Sequence, residues 1–344
     1  MGADVAFRYV ICGAGAVGGA VGGLLLESGS RVLFVARPAQ AEAISRGFQI
    51  ELEGRSILVR GQAVTSARQI EPRPEDFIML SVKSQGAAIA IEELTQVYGE
   101  ATPIACLQNG VRNEEVAARR FARVYAGVVL FSAIQLDPNL ITITRGRQII
   151  VGSYPEGLDA TVEQLRKDLA RAGFDCLASP HAMAIKWDKL IANLNNATHA
   201  ITGLSLEESH SDPQMRLLMA EVCQEGARVL EAAGLKFDPP DSPLRIRDRI
   251  ESLRRPPEGP QHETPRSFPS MWQDLYLGRP STEIEFLNGE IVKLGQRLGI
   301  QTPYNSALVE IVTEMSRRGL KPGLYTPAQL GALIEGHKIG RGSI

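Results

Sequence analysis

The six residues Gly13-Ala14-Gly15-Ala16-Val17-Gly18 constrain this chain more than any others. Before them, Phe7 to Cys12 reads as a short apolar strand. After them, Val17 to Ser28 reads as a small-residue helix that stops at Gly29, and Arg31 to Ala36 as a second buried strand. A strand, a G-x-G-x-x-G turn, a helix and a second strand make a βαβ unit. The glycines have separate tasks. One permits the tight turn, one lets backbone N–H groups approach a pyrophosphate, and one lets helix and strand pack closely. The helix N-terminus adds partial positive charge for the phosphates. Alone the pattern is weak evidence, but between a strand and a helix it is strong. All six positions are expected to cradle a dinucleotide.

The end of the second strand selects the dinucleotide. NAD-binding units commonly place Asp or Glu there to hold the ribose 2′-hydroxyl. Here the strand ends in Val35-Ala36-Arg37-Pro38, with no acid. Arg37 is suited instead to a 2′-phosphate and to stacking on adenine, so NADP(H) is expected over NAD(H).

Strands and helices then keep alternating. Ser56 to Val64 reads as β structure. Asp76 to Val82 reads as a buried strand ending at Lys83, with a helix through Glu93. Pro103 to Leu107 is a strand ending in Gln108-Asn109-Gly110, and Val124 to Phe131 is another, leading to Ser132 and Ala133. Ile141 to Thr144 and Gln148 to Val151 read as a hairpin turning at Arg145-Gly146. A helix over Thr161 to Ala172 and a strand near Asp175 follow. Ligands of doubly wound sheets sit at the carboxyl ends of strands, which is where Lys83 and Asn109 fall. Both are expected near the nicotinamide ribose and substrate, although Asn-Gly is a turn dipeptide in its own right.

From about Pro180 the period becomes helical. The expected helices are Ala182 to Thr202, Pro213 (capped by Asp212) to Ala233, Pro243 to Leu253, Ser267 to Leu277, Thr282 to Leu298 and Pro303 to Arg318. Arg254 to Pro265 is a Pro-rich polar loop. The expected organisation is α/β plus all-α: a Rossmann-type doubly wound NADP-binding domain over 1–178 and a helical substrate and dimerisation domain over 179–344.

One helical stretch stands out. In Lys186 to Asn196, KWDKLIANLNN, the residues Lys186, Lys189, Asn193 and Asn196 fall on one stripe roughly 80° wide at 100° per residue. Trp187, Leu190, Ile191 and Leu194 form the apolar arc opposite. Asn is a mediocre helix former, and a solvent face is more readily built from Glu, Lys or Gln. The stripe reads either as a solvated face or as the wall of a polar cleft, with Lys186 at its solvated edge and Trp187 in the core.

Bulk properties exclude several classes. At 344 residues the chain suits two domains, and 44% hydrophobic with 22% charged residues is ordinary globular composition. A formal charge of −2 supplies no basic field for nucleic acid. Cys12, Cys106, Cys176 and Cys223 lie far apart, and the five histidines show no ligand spacing, so no metal is expected and a reduced, cytoplasmic setting fits. No apolar run reaches the roughly 18 residues of a membrane span, and no leader segment is expected before the first strand.

The chain resembles the ketopantoate reductase family over nearly its whole length. GAGAVG, the Asn-Gly after a central strand, KWDKLIAN, PSMWQD and STEIEFLNG carry the resemblance, and the last three are far more specific than the glycine turn. It implies NADPH-dependent reduction of a 2-oxo acid, ketopantoate to pantoate, in pantothenate and coenzyme A biosynthesis, by a homodimer. It implies Lys189 as general acid and Asn193 as a substrate residue. Ser270 would hold substrate polar groups, Glu283 the cofactor-ribose end, and Lys83, Asn109 and Ala133 the nicotinamide side. Charge considerations agree, since hydride delivery to a ketone builds negative charge on oxygen, which an ammonium about 3 Å away stabilises and protonates.

There are departures from the family pattern. N-x-x-x-N-P commonly follows the lysine, whereas here the run is Asn193-Leu194-Asn195-Asn196-Ala197, so that either the second substrate asparagine is Asn196, one position early, or its role is lost. The stretch from Lys236 to Pro265 is longer and richer in proline than the usual connection. Another branched or bulkier 2-oxo acid, or a related ketone, is therefore an open alternative. A polyol-phosphate or 3-hydroxy acid dehydrogenase would want further Arg or Lys beside Lys189. A non-catalytic NADP(H) sensor would need only the first domain.

Overall fold

The computed structural model describes residues 6–256, 266–279 and 281–340. The Pro-rich stretch 257–265 lies outside them. The chain divides into two compact units, Met1–Lys186 and Trp187–Ile344. The division falls inside a helix, a few residues past the boundary expected at 178.

The first unit is built on a ten-stranded sheet. Its elements in chain order are β1 (Arg8–Cys12), α1 (Ala16–Glu27), β2 (Arg31–Val35), α2 (Pro38–Arg46), β3 (Phe48–Leu52), β4 (Arg55–Val59), β5 (Gln62–Val64), β6 (Asp76–Leu80), α3 (Ser84–Thr95), β7 (Ile104–Cys106), α4 (Asn113–Ala118), β8 (Val124–Asp137), β9 (Leu140–Ser153), α5 (Ala160–Arg171) and β10 (Asp175–Ala178). The strand order is β4-β3-β9-β8-β7-β6-β1-β2-β5, with β10 added to β9. Neighbours from β8 through β5 are parallel. After Arg8, strand β1 is apolar without alternation because both of its faces are covered. Tyr9 and Ile11 join α1 and α5 in one core, while Val10 and Cys12 join α3 in the other.

One strand reading is refined and one is corrected. Ser56 to Val64 is two strands, and they lie at opposite edges of the sheet: β4 pairs with β3 and β5 with β2. The hairpin expected at Arg145-Gly146 is instead one continuous strand, β9, antiparallel to β8. The turn lies at 138–139, where the Asn139 N–H donates to Asp137 Oδ1 at 2.7 Å. Gly146, at φ +68°, sits beside register shifts in the ladder. A glycine at positive φ serves an irregular strand as well as a turn, and the sequence signal is the same for both.

Helix α6 (Ala182–Asn193) crosses the division. The second unit continues with α7 (Asn196–Thr202), α8 (Leu206–Ser211), α9 (Pro213–Ala232), α10 (Ile246–Arg254), α11 (Ser270–Tyr276), α12 (Asn288–Leu298), α13 (Pro303–Arg318) and α14 (Pro327–Gly340). Asp212 caps α9 by accepting from the Met215 N–H at 2.8 Å, and Pro213 follows at N1. The helix expected over Thr282 to Leu298 is shorter: a 3₁₀ turn at Ile284–Phe286 precedes α12. The buried carboxylate of Glu225, on α9, stands in for a local cap on α13. It accepts the N–H groups of Tyr304 at 3.0 Å and Asn305 at 2.8 Å, which the first turn cannot satisfy itself. Among the described residues no helix is long and apolar enough to cross a membrane.

Candidate functional site

In the first unit the expected residues line one edge of the sheet. Strands β7, β6, β1 and β2 are adjacent, parallel and in register, so all four carboxyl ends point the same way. Asn109 follows β7, Lys83 follows β6, the glycine turn follows β1 and Arg37 follows β2. Three strand spacings of about 4.8 Å set the row at roughly 14 Å, a length suited to an extended dinucleotide. The chain leaves β1 toward β2 on one side and returns to β6 on the other, which makes β1/β6 the switch point where such ligands bind.

The glycine turn is shaped by contact. Gly13 has φ +103°, and an added Cβ would lie 2.6 Å from the Val82 nitrogen. A Cβ on Gly18 would lie 2.0 Å from the Gly13 carbonyl oxygen and 2.2 Å from Ser81 Oγ. Both glycines therefore pack the turn against the end of β6, and Ser81 Oγ donates to the Gly13 carbonyl at 2.7 Å. Gly15 differs. Nothing lies within 4 Å of its Cβ direction, and it precedes the first turn of α1, formed by Ala16, Val17 and Gly18. Open space at the N-terminus of a twelve-residue helix is where backbone N–H groups can meet phosphate. A dinucleotide fits these residues, with Ala14 buried beneath the turn.

Arg37 is exposed at the N-cap of α2, and its guanidinium makes no hydrogen bond or ion pair among the described residues. Lys83 is exposed at the N-cap of α3. The Asn109 carbonyl accepts from Ser84 Oγ at 3.1 Å and Asn113 Nδ2 at 3.2 Å, and Gly110 turns at φ +80°. The turn chemistry of Asn-Gly is thus real, and it leaves the half-buried Asn109 side chain at the strand end. Ala133 is half-buried on β8, which runs on past the end of β7, and it pairs with Ile143.

The polar stripe of α6 divides in three. Lys186 is not at a solvated edge. It is 2% exposed, donates to the Cys106 carbonyl at 3.0 Å and pairs with the Glu114 carboxylate, itself 0% exposed. Burial pushes the Glu114 carboxyl up despite the opposing pull of Lys186. Lys189 and Asn193, one turn apart, are both half-buried. The stripe then ends, because the helix breaks at Leu194-Asn195. Asn288, on α12, donates to the Leu194 carbonyl at 3.0 Å, and the Asn195 amide turns to Cys223 Sγ on α9 at 3.1 Å. Asn196 therefore starts a separate helix, and its place on the single wheel with Lys189 does not hold; it is 9% exposed. Trp187 is buried as expected.

Elsewhere in the second unit, Ser270 is exposed as the first residue of α11, which packs on α7. Glu283 is buried and precedes the 3₁₀ turn. Three residues that sequence reasoning passed over organise this region. Asn288 bridges the Leu194 carbonyl and Asn305 Oδ1, the latter at 2.9 Å. Asp188, immediately before Lys189, accepts from the Asp238 N–H at 2.6 Å, and burial raises its carboxyl to about 6, with Asp238 and Asp241 adding to the shift. His199 faces Ser209 Oγ at 2.9 Å, and burial lowers its imidazole to about 4. Asn288 lies inside the STEIEFLNG motif and Asp188 inside KWDKLIAN, which were the available signals; His199 had none. The four cysteines are buried and free. No cluster of His, Cys, Asp or Glu able to hold a metal occurs among the described residues.

The chain matches the family model described as ketopantoate reductase PanE/ApbA over residues 9–156, and the model of its C-terminal part over residues 181–316. The 2-dehydropantoate 2-reductase of Pyrococcus horikoshii is 30% identical over 308 residues, covering 89% of this chain and 96% of that protein. The structure of a PanE/ApbA family ketopantoate reductase from Ralstonia eutropha JMP134 has a TM-score of 0.77 at 28% identity, over 90% of this chain and 98% of its own. D-mandelate dehydrogenase, solved with NADH and anilino(oxo)acetate, shares the fold with a TM-score of 0.78 at 22% identity, over 90% and 99%.

Proposed function

The chain belongs to the ketopantoate reductase family and is an oxidoreductase, and we propose that it reduces a 2-oxo acid to the 2-hydroxy acid with NADPH, 2-dehydropantoate being the first candidate substrate. The observation that carries this reading is the row of Asn109, Lys83, glycine turn and Arg37 along the carboxyl edge of four adjacent parallel strands. Arg37, exposed and without a protein partner among the described residues, is available to a 2′-phosphate. Lys83, Asn109 and Ala133 stand toward the nicotinamide end.

Bound NADPH would supply the hydride. The chain supplies the rest. The Lys189 ammonium draws toward the substrate oxygen the negative charge that develops there and gives it a proton, which solvent then replaces on the amine. Asn193, one helical turn on, adds a neutral donor on the same face. Ser270 donates to the substrate carboxylate without adding fixed charge. Glu283, an anion, belongs away from that carboxylate, at the ribose end. Asn196 opens a separate helix, one position short of the family's second asparagine, so a branched or bulkier 2-oxo acid, or a related ketone, stays the alternative substrate. The reading includes a homodimer, for which sedimentation should give twice the mass of the chain.

The test is consumption of NADPH by the purified protein with 2-dehydropantoate and a panel of other 2-oxo acids, with NADH in parallel. Turnover selective for NADPH is expected. Tight NADPH binding with no turnover of any 2-oxo acid would sink the reductase reading and leave a dinucleotide-binding protein. Arg37→Asp should weaken NADPH roughly 10–100-fold, the loss of one or two charge-assisted hydrogen bonds. NADH should be weakened far less, and equal losses would remove the 2′-phosphate assignment.

A further inference from the structure

Ser270 is exposed at the start of a seven-residue helix. Helices this short are marginal on their own, so the direction of its hydroxyl depends on what holds the segment before it. That segment is anchored at three successive residues. The two carboxylate oxygens of Glu207, on α8, accept the N–H of Ser267 at 2.9 Å and its hydroxyl. The neighbouring Leu206 N–H donates to the Ser267 carbonyl at 2.9 Å. Every polar group of Ser267 is thus engaged by two adjacent residues of one helix. Phe268 stacks on Trp272 with ring centroids 3.9 Å apart, and its carbonyl accepts from Gln273 Nε2 at 2.9 Å. Pro269, with φ fixed by its ring, is the N-cap of α11.

Glu207 is not needed for its own helix. The cap of α8 is complete without it: Ser205 Oγ accepts the Glu208 N–H at 3.1 Å, and Glu208 Oε2 accepts the Ser205 N–H at 2.9 Å. A first-turn carboxylate left over from a finished capping box is directed instead to a residue sixty positions away, three before the serine proposed to hold substrate.

We propose that Glu207 is a positioning residue: by holding Ser267 through both carboxylate oxygens it fixes where the Ser270 hydroxyl stands, and so sets affinity for the 2-oxo acid. This rests on the role of Ser270 given under Proposed function. Glu207 does not touch substrate, and its effect passes through the Ser267–Ser270 backbone.

The test is a double-mutant cycle in steady-state kinetics on the full chain. Glu207→Ala should raise KM for the 2-oxo acid roughly tenfold, as a misplaced orienting group does, with kcat and the Kd for NADPH within about twofold. Glu207→Gln should recover most of the loss, since an amide can accept from the N–H and donate to the hydroxyl oxygen. Ser270→Ala should raise KM at least as much, and Glu207→Ala combined with Ser270→Ala should be no worse than Ser270→Ala alone. Additive effects, or an unchanged KM in Glu207→Ala, would overturn the proposal while leaving Ser270 in its role. An unchanged KM in Ser270→Ala would remove both. If Glu207→Ala does not fold, Ser267→Ala, which deletes only the hydroxyl bond, takes its place with a smaller rise in KM expected, and no rise overturns the proposal.

Discussion

The glycine turn after β1 and the polar face of α6 are both candidate ligand sites, built in opposite ways. The turn is made of backbone. Gly13 and Gly18 fit only because they lack a Cβ, and Gly15 is open where they are packed. The face of α6 is made of side chains, and its four expected members meet different surroundings. Lys186 is buried against Glu114, Lys189 and Asn193 stay half-buried, and Asn196 sits beyond a helix break. A backbone site is written in residue type, because a missing Cβ is a property of the residue itself. A side-chain site depends on what each group meets once the chain is folded.

The largest expected effect breaks the side-chain site. Lys189→Ala should lower kcat roughly 10²–10⁴-fold, the range for losing a positioned acid, and near wild-type turnover would take lysine out of the reaction. Next comes Lys186, three residues earlier on the same helix. Lys186→Met should cost about 3–5 kcal/mol in denaturant unfolding, because it leaves the Glu114 carboxylate buried without its partner. Adding Glu114→Leu should restore most of that loss. A single variant as stable as wild type would mean the pair is not held as a charge pair.

Asp188 sharpens the contrast through pH. Its carboxyl in the folded protein lies at about 6, above the ordinary 3.8, so the native state binds this proton more tightly than the unfolded chain. The stability this gives is full below about pH 4 and is lost as pH rises through about 6. Asp188→Asn keeps an acceptor for the Asp238 N–H and escapes that loss. It should be more stable than wild type at pH 7, by no more than roughly 3 kcal/mol, with the advantage shrinking toward pH 4. An advantage that does not vary across this range would contradict the assignment.

The smallest effect probes the backbone site. Gly15→Ala should leave the unfolding free energy within about 0.5 kcal/mol and weaken NADPH roughly tenfold. Gly18→Ala, whose Cβ would lie 2.0 Å from the Gly13 oxygen, should lose stability as well as binding. If Gly15→Ala binds NADPH as wild type does, the open side of the turn is not where the pyrophosphate lies.

Much of the architecture could be read from the chain. Unbroken apolar strands, the βαβ unit and the Asp212-Pro213 cap follow from local rules that residue type enforces. The misreadings share a cause. Gly146 signals a positive φ, and whether that bends a strand or ends it depends on the partner strand. Nothing in KWDKLIANLNN forbids a single helix through Asn196, yet Asn288, 94 residues away from Leu194, takes the carbonyl at the break.

The sequence by itself determined the glycine turn, the strand ends carrying Arg37, Lys83 and Asn109, and the spacing of Lys189 and Asn193, because each depends on residue type within one turn or one strand. Only the tertiary structure decided that Lys186 is buried with Glu114, that Asn195 turns inward to Cys223 and that Glu207 reaches Ser267. A polar side chain shows its chemistry locally, but its partner comes from a distant element, and burial of that partner fixes whether it serves structure or is left for a ligand.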